Sequence, residues 1–83
     1  DLAKEAAAAG TVNALMGYRI QCSRERDFNT IITDRFFELD SPIKPESFNL
    51  PFNQYWCRVA AVDLLGNQAP FRPAKAYYLG TSR

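Results

Sequence analysis

Cys22 and Cys57 are the only thiols of this 83-residue chain, and no histidine accompanies them. Without an imidazole the sequence lacks the commonest general base and the commonest metal ligand. Two cysteines with no CxxC cluster make a poor zinc site. An even count suits a disulfide in an oxidising compartment, and it suits two buried thiols in a reducing one equally well.

The other reactive side chains are scattered. Nine carboxylates run from Asp1 to Asp63, and none sits in a recognisable catalytic pairing. A glycosidase-like pair needs a cleft that so small a chain rarely provides. Ser23, Ser41, Ser47 and Ser82 have no histidine to activate them. Gly66 stands alone, so no phosphate-cradling loop is present. Asp63 and Asn67 flank a turn and could touch a calcium ion, but hydrogen-bonding the turn itself is the simpler role. No catalytic residue, cofactor site or metal site is expected, and the chain reads as a non-enzyme.

The elements that position these residues are mostly strands. Tyr18, Ile20 and Cys22 alternate with Arg19, Gln21 and Ser23, the period-two pattern of a half-buried strand. In the clearest segment, Tyr55, Cys57, Val59 and Ala61 alternate with Trp56, Arg58, Ala60 and Val62. The first set is the expected core face, so both cysteines point inward. Trp56 and Arg58 then point outward, with Tyr77 or Tyr78 of the last strand nearby. Trp, Tyr and Arg are enriched at interface hot spots. These four residues are therefore the candidate interaction surface, against the plainer reading of a Trp covered by its own neighbours.

Between those strands the pattern is weaker. Ser23 to Asp27 reads as a turn, with Phe28 plugging the core beside it. Thr30 to Leu39 is β-rich but does not alternate cleanly, giving one strand with an irregularity near Asp34 or two short ones. Pro42 and Pro45 exclude a central strand there. Ser47 to Leu50 is expected as a short strand, with Asn53 taking a positive φ in the next turn. Asp63 to Asn67 reads as a hairpin turn, and Ala74 to Leu79 as the final strand. The first sixteen residues differ: Asp1 to Gly10 is alanine-rich with an acidic start and a glycine stop. That stretch reads as a docked helical turn, a linker or a tail, with Thr11 to Met16 as a short strand.

Composition bounds the rest. The chain makes one domain at most. Apolar residues form 47% of it, ample for a core. Ten basic against nine acidic side chains leave no field to steer a polyanion, so no nucleic acid is expected as a partner. No apolar run approaches the roughly 20 residues that span a bilayer. No secretory signal pattern opens the chain, and a start at Asp1 rather than Met reads as a cut from a longer precursor or as missing residues.

The ordered set Gly17-Tyr18-Arg19-Ile20-Gln21, Asp27-Phe28, Leu50-Pro51, Tyr55, Arg58 to Asp63, Gly66-Asn67 and Pro70-Phe71 resembles fibronectin type III domains. It is most similar to the variety in bacterial surface and periplasmic proteins, including the fibronectin-like ends of FecR-type proteins. The resemblance covers roughly residues 17–79. It implies an all-β, immunoglobulin-like sandwich. In that frame Tyr18 to Cys22 is strand C, Ile31 to Phe37 is C′, Phe48 to Leu50 is E, Tyr55 to Asp63 is F and Ala74 to Leu79 is G. Tyr55 takes the tyrosine-corner position, its hydroxyl returning to backbone just upstream.

Two departures stand out. Asn53 replaces the usual glycine of its turn. Only sixteen residues precede Gly17, where strands A and B should lie. The sheet is then incomplete, replaced by something atypical, or deprived of intervening residues. An incomplete module would leave one side of its core for a partner domain or second chain to cover. The implied organisation is a tail, linker or short helix over 1–16, a fibronectin-like domain over 17–80 and a tail over 81–83.

The resemblance also implies a register. Strands C and F are adjacent and antiparallel in this fold. If Tyr18 faces Ala61 and Ile20 faces Val59, then Cys22 faces Cys57, within disulfide range. A cross-strand disulfide and two free core thiols both remain open. The implied role is a non-catalytic spacer or protein-interaction unit in a larger extracytoplasmic protein, periplasmic or at the cell surface. Its partner would be another protein or a neighbouring domain. The alternative is a carbohydrate- or ligand-binding accessory domain that uses the aromatic and arginine face.

Overall fold

The structure is a computed structural model and describes residues 1–9 and 14–81. It opens with helix α1 (Leu2–Ala8), capped by Asp1, whose carboxylate accepts the Lys4 amide at 2.9 Å. That bond satisfies one of the amides a helix start leaves without a partner. Seven residues do not hold a helix alone in water. Docking stabilises this one: Leu2, Ala6 and the following Ala9 are buried. Of the short strand expected over 11–16, Leu15 and Met16 belong to the first strand below, and 11–13 lie outside the described residues.

Four strands follow: β1 (Leu15–Ser23), β2 (Thr33–Glu38), β3 (Asn53–Asp63) and β4 (Lys75–Leu79). They form one open antiparallel sheet in the order β2-β1-β3-β4. The mostly β character expected from sequence is therefore present. Among the described residues there is one sheet, where the resemblance implies two.

Alternation sends side chains to two faces, and pairing aligns the alternation of neighbouring strands. On β1 and β3, Tyr18 opposes Ala61, Ile20 opposes Val59 and Cys22 opposes Cys57, so each pair's residue numbers sum to 79. This is the register that the resemblance implied. The core face carries these residues together with Phe37, Tyr55 and Leu79, all buried. Ile20 and Val59 are at 0% exposure, each contributing about 1.5–3 kcal/mol by leaving water. A register irregularity between Leu15 and Gly17 ends the regular ladder. A Cβ at Gly17 would run into the Phe37 carbonyl and the Phe36 ring, so the chains can approach there only because the residue is glycine.

The chain covers its own core face, contrary to the expectation that a second body would be needed. α1 packs on β3 from one side. The connection between β2 and β3 packs from the other, bringing Phe48 to 5.3 Å from the Phe37 ring centre. The segment read as strand E forms no strand: a 3₁₀ turn over Pro45–Phe48 ends at Phe48, and Asn49 and Leu50 follow it outside any element. Pro45 pre-sets the first turn, Ser47 Oγ accepts the Lys44 amide at 3.2 Å, and Asn49 closes the turn at φ 53°. The positive φ expected at Asn53 thus falls at Asn49, and Asn53 begins β3.

Two other expectations shift. Ile31 and Ile32 precede β2 and are exposed, although their β-branched types suggested strand. Phe28 sits half-buried on the opposite face rather than in the core, with φ 57°. Its backbone turns through the left-handed region after the Phe28 amide donates to Glu25, which swings the ring away from the core face. Thr81, first residue of the expected C-terminal tail, donates to the Leu50 carbonyl at 3.1 Å; residues 82–83 lie outside the described set.

Candidate functional site

The thiols are placed by the β1–β3 register. Cys22 is at 0% exposure and Cys57 at 1%, both are free, and their sulfurs are 2.8 Å apart with Cys57 donating. The Cys22 carbonyl accepts from Ile32 on the β2 side. The carbonyls of Val59 and Ala61 accept from Arg72 and Ala69, on the side away from β1. The same alternation turns the Cys57 backbone away from β1, so Cys22 and Cys57 form a non-hydrogen-bonded pair. Such pairs bring Cα atoms to about 4.5 Å, the closest approach in an antiparallel ladder. The bond to Cys22, reinforced by burial, pushes the Cys57 thiol far above its ordinary range. In the closed fold it is a poor nucleophile.

Glu5 lies beside this pair's neighbours. Lys75 stands opposite Cys57 on β4, and its Nζ donates to Glu5 Oε1 at 2.9 Å. Arg72 Nε donates to the other oxygen at 2.8 Å. The Arg72 bond first, then the Lys75 bond, holds the Glu5 carboxyl below its usual range despite burial. Glu5 is the polar tether of α1, and nothing in its alanine-rich surroundings marks it in the sequence.

The opposite face is polar and aromatic. Arg58 Cζ lies 4.3 Å from the Phe28 ring centre and 4.7 Å from that of Phe71. Its Nε donates to Gln21 Oε1 at 2.9 Å, and Gln21 Nε2 donates to Asp34 at 3.1 Å. Arg19 grips the same carboxylate through Nε at 2.7 Å and Nη2 at 2.6 Å. That fork holds the Asp34 carboxyl below its usual range. Trp56 is half-buried, with Arg26 at 5.4 Å from its ring centre. Tyr78 is 63% exposed and lies near-parallel to Phe52, with ring centres 5.7 Å apart and an angle of 18°.

Of the candidate interaction residues, Trp56, Arg58 and Tyr78 share this face by parity, as Gln54 opposes Tyr78 and Trp56 opposes Ala76. Tyr77 does not join them. It opposes Tyr55 on the core side and is half-buried, where burial raises its hydroxyl pKa. Arg19 and Gln21 were legible on the outward face of their strand from alternation alone. Asp34, Phe52 and Phe71 were not, because they come from an irregular strand and from loops.

Two further features are local. Tyr55 Oη donates to the Pro51 carbonyl at 2.5 Å, the return bond implied for its position. Asp63 Oδ1 accepts the Leu65 and Asn67 amides at 3.0 and 2.9 Å, so this carboxylate caps its turn. Among the described residues no three of His, Cys, Asp and Glu are grouped to hold a metal ion, and no helix is long and apolar enough to cross a membrane. A depression of about 350 Å³ lies between Leu2, Ile43, Pro45, Tyr77 and Leu79. No family model, curated protein or solved structure matches the chain.

Proposed function

We propose that the chain is a non-catalytic, fibronectin-like module, a spacer or protein-interaction unit within a larger extracytoplasmic protein. The observation that carries this reading is the sheet order β2-β1-β3-β4 with its matching register. That order corresponds to C′-C-F-G of the resemblance, and the Tyr55 hydroxyl bond to Pro51 supports it. On this reading α1 and the 3₁₀ turn occupy the ground of the second sheet. The outer face, with Trp56 and Tyr78 at one end, is the surface offered to a neighbouring domain. NMR titration of the labelled chain with the rest of its parent polypeptide tests it. Shifts centred on Trp56, Arg58 and Tyr78 are expected; a spectrum unchanged on that face would reject the interaction role.

A second reading is a carbohydrate-binding accessory domain. The near-parallel, exposed Phe52–Tyr78 pair favours it, since such rings can stack on a sugar face. A glycan array in which binding is absent, or survives Tyr78→Ala, removes that reading.

A further inference from the structure

We propose that Cys22 and Cys57 are a disulfide-forming site, closed by exchange with a low-molecular-weight disulfide and favoured by the native register. The proposal is independent of the module's role and rests on three features of the sheet. The cysteines are directly opposed on adjacent strands. Their backbone groups point away from each other, which makes them a non-hydrogen-bonded pair with the shortest inter-strand Cα approach. That approach lies at the near end of the range a disulfide spans, about 4.4–6.8 Å. Both side chains also point to the same, core face, so no backbone movement is needed to turn one sulfur toward the other.

The chemistry balances in two exchanges. One cysteine, as thiolate, attacks a sulfur of oxidised glutathione, expels one glutathione thiolate and carries the other as a mixed disulfide. The second cysteine, having lost its proton to solvent, attacks the protein sulfur of that mixed disulfide and expels the second glutathione. The protein loses two protons and two electrons, and oxidised glutathione takes them up to become two reduced molecules. Burial of both sulfurs makes the first exchange wait on local opening or on folding itself. Once the pair is closed, β1 and β3 are joined one residue pair from the end of their ladder.

Refolding of the reduced chain from urea into a glutathione redox buffer, followed by acid quenching and mass spectrometry, tests the site. The expected product is a monomer lighter by two hydrogens, with one peptide link joining Cys22 to Cys57. Its closed-to-open ratio in native buffer should exceed that of the urea-unfolded chain, at the same glutathione ratio, by about tenfold or more. Cys22→Ala should abolish the lighter species and leave Cys57 as thiol or glutathione adduct. Cys57→Ala should do the same for Cys22, so that a folding defect in one variant does not decide the result. The proposal is overturned if the native wild type ends as two thiols, as a stable glutathione adduct or as a covalent dimer. A native ratio no higher than the unfolded one would overturn it equally.

Discussion

The two faces of the sheet are built from the same strands and stabilised by different physics. On the core face, Ile20, Val59, Cys22 and Cys57 are almost wholly removed from water, and one tethered carboxylate, Glu5, fastens the helix that covers them. On the outer face, Arg19, Gln21, Asp34 and Arg58 form a continuous chain of hydrogen bonds, with Arg58 held between two rings. The first face draws on area removed from water. The second draws on charge pairs that solvent screens, since Arg19 and Asp34 are both part-exposed. Substitutions should therefore cost much more on one side than on the other.

The largest difference is expected at Ile20. Ile20→Ala should lower unfolding free energy by about 2–5 kcal/mol, measured by urea titration, because it opens a cavity beside Val59. A chain this small has little stability to spare, so the variant should be largely unfolded at room temperature. A loss as small as that of an outer-face substitution would erase the contrast.

Glu5→Gln comes next, at about 1 kcal/mol, since Arg72 and Lys75 are well exposed and their pull is screened. Its signature is sharper than its size. The Glu5 carboxyl titrates below its ordinary value of 4.5 in the folded chain, so the unfolded chain binds the proton first as pH falls. The stability it contributes is present above that value and is lost as pH drops through the lowered folded value. Asp34, also lowered, behaves the same way below its ordinary 3.8. Acid unfolding of Glu5→Gln should thus show a shallower loss of stability than wild type over that range, with α1 amides exchanging faster at neutral pH. Equal acid slopes would remove the tether.

On the outer face, Arg58→Ala should cost about 1 kcal/mol, chiefly through lost ring contacts rather than lost charge. Tyr78→Ala should stay within roughly 0.5 kcal/mol, because the ring is exposed and packs mainly on Phe52. Urea midpoints measured in low and high salt separate these terms. A strong salt dependence for Arg58→Ala would show charge rather than packing at work there.

The contrast between faces was also what the sequence showed most clearly. Alternation over Tyr18–Cys22 and Tyr55–Val62 is a direct imprint of a half-buried sheet, so both faces of β1 and β3 could be read from residue order. The cysteine pairing needed one further premise, that the two strands are neighbours, and the resemblance supplied it. The other elements depend on contacts that no local pattern records. Ser47 to Leu50 has strand-like residues, yet a 3₁₀ turn started by Pro45 runs through Phe48, and the left-handed Asn49 ends it before a strand can form. Phe28 looked like core because it is aromatic, but a left-handed backbone aims it at Arg58. Ile31 and Ile32 have strand propensity, but the regular β1–β2 pairing begins only at Thr33, and Ile32 adds a single backbone bond to Cys22 before it. The cover over the core was hidden for a different reason. Alanine-rich helices are legible, but where this one docks is set by Leu2 and Ala6 meeting the sheet and by Glu5 meeting Arg72 and Lys75 from the far end of the chain.

The account turns on the β1–β3 register, because a slip of one residue would exchange the faces. Proton NMR in deuterated water reads it directly, since non-hydrogen-bonded pairs bring their α-protons together. Strong α-proton cross-peaks are expected for Tyr18 with Ala61, Ile20 with Val59 and Cys22 with Cys57. Cross-peaks of Cys22 with Trp56 or Arg58 in their place would contradict it.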